Sequence, residues 1–297
     1  MSLNGILLVD KPKGITSAHC LNKLKKRFKP KKIGHAGTLD PLATGLLVVM
    51  LGQATKISQF LMQGIKTYHG VLELGKTSVS YDLGSEVLPG GSWEHILPET
   101  IYQEVKAWEK LKTQIVPPIS AAKHKGKPLY FRARKGQSIP VKEKNIEIFY
   151  AEAVKIELPR VYFRVRCSAG TYIRSLAHSL GKRLGCGAIL TELRRTECAP
   201  FTLQEAKPLE EVLELNEIDS CLLSIAQGLA NWPQIKVNPY LEQRLKHGGS
   251  LDLREIPVLP KTGQRILALS LEEKPIAILE CTDVPKPKWK ILRGLWN

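Results

Sequence analysis

The sequence predicts an α+β fold with a small β-rich module at its C-terminal end. Three observations carry this. Segments with strand and helix periodicity are interspersed without a regular βαβ rhythm. The composition is that of a globular chain, with 43% hydrophobic and 24% charged residues, which excludes a mainly disordered polypeptide. Beyond residue 237, short apolar runs are broken by Gly248-Gly249, Pro257, Pro260, Gly263 and Pro275, the punctuation of strands and turns.

The elements follow in order. Gly5–Val9 and Thr44–Leu51 are near-continuous apolar runs, as expected of buried strands. Tyr68–Leu74 reads as a further strand. After Pro98 and Glu99, a good helix start, Ile101, Val105, Trp108 and Leu111 recur at helical spacing. Arg160–Ser168 alternates, with Val161, Phe163, Val165 and Cys167 on one face and Tyr162, Arg164 and Arg166 on the other, the pattern of a half-buried strand. Ile173, Leu176, Ala177, Leu180 and Leu184 outline an amphipathic helix ending near Gly185. A boundary near Ala230–Asn238 divides residues 1–237 from a module at 238–297, where Ile266–Leu271 and Pro275–Glu280 read as strands. No apolar run reaches the roughly 18 residues that span a bilayer. Residues 1–8 lack the basic and long apolar regions of a secretory leader. The six cysteines are scattered, with no Cys-x-x-Cys pair and no histidine pair at zinc spacing. A cytoplasmic protein with reduced cysteines, no structural metal and no membrane association is expected.

Charge narrows the partner. The chain has 44 Lys+Arg and 28 Asp+Glu, a formal net charge of +16, which favours a polyanion. Seven basic residues crowd Leu21–Lys32, Lys31 and Lys32 among them. A second cluster runs from Lys123 to Lys144, with Lys125, Lys127, Arg132, Arg134, Lys135 and Lys142 between. No basic amphipathic helix with a bulky aromatic face stands out, so nucleic acid is preferred to a membrane surface. Glu205–Asp219 is acidic and reads as a far side, away from the basic clusters.

Gly34-His35-Ala36-Gly37-Thr38-Leu39-Asp40-Pro41-Leu42-Ala43-Thr44-Gly45 is the most informative stretch. Its glycines let backbone approach a ligand closely, and Pro41 stiffens the chain after Asp40. An Asp before Pro is most often a turn residue. The glycine spacing is not that of a phosphate loop, and no Gly-Lys-Ser/Thr closes it.

This stretch resembles the catalytic motif of the TruB family of tRNA pseudouridine synthases. Other segments resemble family motifs in the same order along the chain: Leu8-Val9-Asp10-Lys11-Pro12-Lys13-Gly14-Ile15-Thr16-Ser17, Gln114–Lys123 continuing to Tyr130, Ala133, Arg134 and Gly136, Ser168–Leu176, and Leu193-Arg194-Arg195-Thr196. The tail after about Asn238 is similar to the PUA-like domain of bacterial members. The resemblance implies a pseudouridine synthase fold, with a mixed, largely antiparallel central sheet flanked by helices and loops. Residues 1–237 would be the catalytic domain, with an RNA-binding insertion around 114–145, and 238–297 an RNA-binding module. It implies isomerisation of uridine to pseudouridine in the T-loop of tRNA, at position 55, by base flipping, without cofactor or metal and by a monomer.

Roles carry over by position. Asp40 matches the nucleophile and Arg174 its carboxylate partner, a pairing expected to keep Asp40 ionised. Residue chemistry alone leaves general-base action by Asp40 open. Tyr68 matches the tyrosine stacking on the target base. Tyr172 and Leu193 match residues lining the uracil pocket, and His35 one that stacks where the base leaves. Lys11, Lys31, Lys32, Lys123, Lys125, Lys127 and Arg134 are the expected tRNA contacts. The sequence departs from the family at Ser78-Val79-Ser80-Tyr81-Asp82-Leu83-Gly84, with serines for threonines and one residue fewer before the glycine. The rival reading is a non-catalytic tRNA-binding or folding chaperone on the same scaffold. It has no need of Asp40, which would repel phosphate.

Overall fold

The computed structural model describes residues 3–120, 123–124, 127–128, 142–256, 261–282 and 288–296. The central sheet is built from β1 (Gly5–Lys11), β2 (Ile33–His35), β3 (Thr44–Leu51), β4 (Lys66–Leu74), β5 (Ile148–Glu157), β6 (Arg160–Cys167), β7 (Ala188–Cys198) and β8 (Lys207–Pro208). The strand order is β5-β6-β4-β7-β3-β1-β8, with β2 also paired to β3 and the short strand Phe201–Thr202 to β7. The β7–β3 and β1–β8 pairs are parallel and the others antiparallel, so the expected mixed, largely antiparallel sheet is present.

Helices α1 (Ser17–Phe28), α2 (Pro98–Lys106) and α3 (Ile173–Arg183) cover one face. Leu24, Ile101, Val105, Leu176 and Leu180 join Leu7, Val9, Leu47, Val49, Leu72 and Phe163 in one core. The chain tightens to a 3-10 turn at Ala107–Lys110, so the helical spacing expected to reach Leu111 ends earlier.

The second face differs along its width. Over β1 and β3, Ile6, Leu8, Leu46, Val48 and Met50 pack with Leu267, Leu269, Ile278 and Leu295 of the C-terminal module. These strands are therefore buried on both sides, and both read as unbroken apolar runs. Over β6 the face is open: Arg164 and Arg166 are exposed while Val161, Phe163, Val165 and Cys167 are buried, and the sequence alternates.

The C-terminal sheet contains β9 (Gln234–Lys236), β10 (Leu251–Asp252), β11 (Arg265–Leu269), β12 (Pro275–Thr282) and β13 (Lys288–Gly294), in the order β9-β11-β12-β13-β10. It thus takes in Gln234–Lys236, ahead of residue 238. Lys56 Nζ donates to the Trp296 carbonyl at 2.8 Å, and the Arg265 guanidinium lies 5.5 Å from the Phe60 ring centroid.

The acidic segment is not a far side. Arg27, in the basic last turn of α1, donates to the carbonyls of Leu213 and Leu215 at 3.0 and 2.6 Å, which docks the segment beside that helix. No helix among the described residues is long and apolar enough to cross a membrane.

Candidate active site

The N-terminal motif folds against the Asp40 loop and fixes it. Ser17 Oγ donates to the Leu39 carbonyl at 3.0 Å and accepts from the Leu39 N–H at 2.8 Å. The Gly14 N–H donates to the Pro41 carbonyl at 2.8 Å. Lys11, expected on tRNA, is fully buried, and its ammonium donates to the carbonyls of Pro12 and Ile15, each at 2.8 Å. It braces this turn and is closed off from any phosphate. Burial lowers its pKa.

Asp40 and Arg174 pair on the wall of a cavity of about 270 Å³. Arg174 Nε stands 3.0 Å from Asp40 Oδ2 and 3.5 Å from Asp82 Oδ2. The guanidinium also donates to the Ser80 carbonyl at 3.0 Å and to that of Ile119 at 3.2 Å. The Arg174 side chain is 7% exposed and that of Asp40 41%; the arginine is fixed and the carboxylate looks out. Burial pushes the Asp40 carboxyl above its ordinary range and the Asp82 charge adds to this, while Arg174 and Lys11 oppose them. The ion pair expected from sequence is present, but desolvation outweighs it.

Asp82 is the site residue that sequence reasoning left unassigned. The short serine-bearing loop closes on it. Ser78 and Ser80 donate their hydroxyls to its carbonyl at 2.7 and 3.1 Å, and the Gly84 N–H donates to its Oδ1 at 2.8 Å. The serines thus do locally what threonines would. The signal in the sequence was an Asp two residues before Gly in a hydroxyl-rich turn.

Tyr68, Tyr172 and Leu193 line the same cavity, with Lys66 and Arg195. Burial holds the Tyr68 hydroxyl up to about 12, so it is a neutral phenol. Tyr172 caps α3. Its backbone is gripped by the Gln114 amide, which accepts from the Tyr172 N–H and donates to its carbonyl at 3.2 Å. Ser175 Oγ donates to the Ile115 carbonyl at 2.7 Å. The root of the insertion, a ribbon of Thr113–Ile115 and Glu143–Asn145, is thereby tied to the helix that carries Arg174.

His35 is not among the residues lining the cavity. It sits half-buried on β2, and burial, then the Arg195 charge, lowers its pKa. Lys31 and Lys32 are exposed just past the end of α1. Lys123 and Lys127 lie in two short paired strands. Lys125 and Arg134 lie outside the described residues. No group of three or more His, Cys, Asp or Glu that could hold a metal ion occurs among the described residues.

Two family profiles match. That of the TruB family pseudouridylate synthase N-terminal domain covers residues 25–173, and that of the tRNA pseudouridylate synthase B C-terminal domain covers 174–229. The tRNA pseudouridine synthase B of Oleidesulfovibrio alaskensis is 48% identical over 300 residues, 99% of this chain and 97% of the relative. That of Nitratidesulfovibrio vulgaris strain Hildenborough is 45% identical over 302 residues, 99% and 98% of the two chains. Among solved structures, an H/ACA ribonucleoprotein bound to a substrate RNA containing 2′-deoxyuridine aligns with TM-score 0.73 and 24% identity, over 99% of this chain and 85% of the other. A Cbf5-Nop10-Gar1 complex aligns with TM-score 0.76 and 24% identity, over 98% and 85%. At that identity the structural likeness concerns the fold alone. The first profile runs through Asp40 and Tyr68, the second begins at Arg174, and the relatives match from end to end: the chain belongs to the TruB family of pseudouridylate synthases.

Proposed function

We propose that this protein isomerises uridine to pseudouridine in the T-loop of tRNA, with Asp40 as the nucleophile. The observation that carries the reading is a half-exposed carboxylate held against a buried arginine in a cavity with tyrosine and leucine walls. The cavity admits a single nucleotide and no duplex, so the target uridine has to leave its stack before Asp40 can reach it. Stacking on Tyr68 then offsets the lost stacking in the RNA. Asp40 attacks the ribose or the ring. The N1–C1′ bond breaks, the uracil turns within the cavity, C5 bonds to C1′ and Asp40 is released, and C5 gives up its proton while N1 gains one. Atoms balance without a co-reactant.

Arg174 orients the carboxylate and favours its charged form, and Asp82 holds the other side of Arg174. Exposed Lys31 and Lys32 and the 114–145 insertion supply cations for the T-arm backbone, and residues 238–297 a PUA-like RNA-binding module.

Incubation with unmodified tRNA, followed by mapping of pseudouridine, tests the reading. Conversion at the T-loop uridine is expected. Asp40→Asn is expected to lose more than about a thousandfold in single-turnover rate, roughly 4 kcal/mol, while binding tRNA as well or better. Retention of activity within about tenfold, some 1.4 kcal/mol, would exclude Asp40 as nucleophile.

A further inference from the structure

The cavity has a second charged end, opposite in character to the Asp40–Arg174 pair. Lys66 and Arg195 line it and are 4% and 1% exposed. Lys66 Nζ donates to the carbonyls of Met62 and Gly64, each at 2.6 Å. Arg195 donates from Nε to the Leu46 carbonyl at 2.8 Å and from Nη2 to that of Gly37 at 3.1 Å. Neither has a carboxylate partner among the described residues, whereas Arg174 has two. Among the described residues, Asp40 is the sole acid lining the cavity.

The Arg195 guanidinium and the end of the Lys66 stem both border Gly37. A Cβ built there would lie 3.5 Å from Arg195 Nη1 and 3.8 Å from Lys66 Cε. The absent side chain leaves a space flanked by the two. Gly37 has φ +112°, which only glycine adopts readily. At the mouth, the Lys144 ammonium lies against Gly170.

Two buried like charges without a counter-ion are unfavourable unless a ligand brings negative charge. A flipped nucleotide brings it: its sugar carries phosphodiesters on both sides. We propose that Lys66 and Arg195, on either side of Gly37, form an anion site for a backbone phosphate flanking the flipped uridine. This site rests on the isomerase reading above and adds what holds the nucleotide out of its stack. Lys66 supplies its third N–H, and Arg195, which also hydrogen-bonds the Tyr68 hydroxyl, the remaining N–H groups of its guanidinium edge, a charge-assisted pair of donors. With the phosphate fixed at Gly37, the base reaches Tyr68 and the ribose comes within reach of Asp40.

The test uses a T-arm stem-loop RNA carrying a neutral methylphosphonate at the linkage 5′ or 3′ of the target uridine, read by dissociation constant and by single-turnover rate. Wild type is expected to lose about tenfold or more on one of the two RNAs. Lys66→Met, which keeps the stem of the side chain, should lose similarly on all-phosphate RNA and lose little further on that methylphosphonate. Equal penalties in wild type and Lys66→Met, or no penalty in wild type on either RNA, would overturn the site. The wild-type arm needs no variant and stands whether or not Lys66→Met folds. If all-phosphate RNA binds but is not converted, the isomerase reading fails instead, and the binding arm still decides the anion site.

Discussion

Asp40 is the residue where two requirements meet. As a nucleophile it has to be ionised, yet its place beside Asp82 and under low-dielectric walls favours the protonated form. The fold therefore binds the Asp40 proton more tightly than the unfolded chain does. The resulting stabilisation is full below the unfolded value, about 3.9, and is lost as pH rises through the higher folded value. Above the folded value the ionised carboxylate weighs against folding, although solvent reaches it and the effect is small. Asp40→Asn should accordingly melt slightly higher than wild type at neutral pH. The gap should close as pH falls through the window between the two values. Thermal melts from pH 4 to 8 check this, and an Asn variant that melts lower throughout would contradict it. The acid limb of the single-turnover rate should have its inflection above about 3.9; an inflection at or below that point would mean that Arg174 dominates.

At the scale of elements, the Asp40 loop is positioned by partners far off in sequence. Ser17, in the first turn of α1, both donates to and accepts from the Leu39 backbone. Ser17→Ala would leave a buried N–H and C=O unpaired, at a cost of about 1–3 kcal/mol each. A lower denaturant midpoint and a slower chemical step are expected, with tRNA affinity little changed. Should the melt fall while the chemical step stays at the wild-type rate, Ser17 would matter to the fold and not to the site. Gly45 shows a similar dependence. It has φ +99°, and a Cβ there would stand 2.3 Å from the Arg195 carbonyl oxygen, so only glycine lets β3 and β7 run together behind the loop. The two longest strands, β5 and β7, escaped the reading of the sequence. In β7 the alternation is broken by register shifts at Leu190/Glu192 and Arg195/Glu197, and in β5 by shifts at Ile148/Tyr150 and Ala153/Lys155. A bulge moves every following side chain to the other face, which erases the period-two signal.

At the scale of the molecule, the C-terminal module is less separable than its punctuation suggests. The sequence alone leads one to expect a folded core after its removal. In the structure, Leu267, Leu269, Ile278 and Leu295 pack with Ile6, Leu8, Leu46, Val48 and Met50. A chain ending at residue 233 would expose that apolar face of β1 and β3. Lower thermal stability and self-association, measured by light scattering, are expected before any change in tRNA affinity can be read. A monodisperse fragment with a wild-type melt would show that the shared core contributes little. Charge acts at the same scale. Neutralising exposed Lys31 and Lys32 should flatten the slope of log affinity against log salt by roughly 0.7–0.9 for each phosphate no longer neutralised. An unchanged slope would make them a solvated face.

The sequence by itself determined β1, β3, β4 and β6 of the central sheet, the helices bearing Trp108's neighbours and Arg174, the basic character, and, through ordered motifs, the family with Asp40, Arg174, Tyr68, Tyr172 and Leu193 as one group. These are legible because apolar periodicity and short motifs are local. Only the tertiary structure decided that Lys11 is an internal brace, that Asp82 completes the Arg174 pairing, that Lys66 and Arg195 border Gly37, and that the acidic segment docks on α1. Each depends on which residues distant in sequence share one desolvated volume. A lysine looks the same in sequence whether its ammonium ends in water, on a cavity wall as Lys66 does, or inside a closed turn as Lys11 does; only the tertiary structure separates these cases.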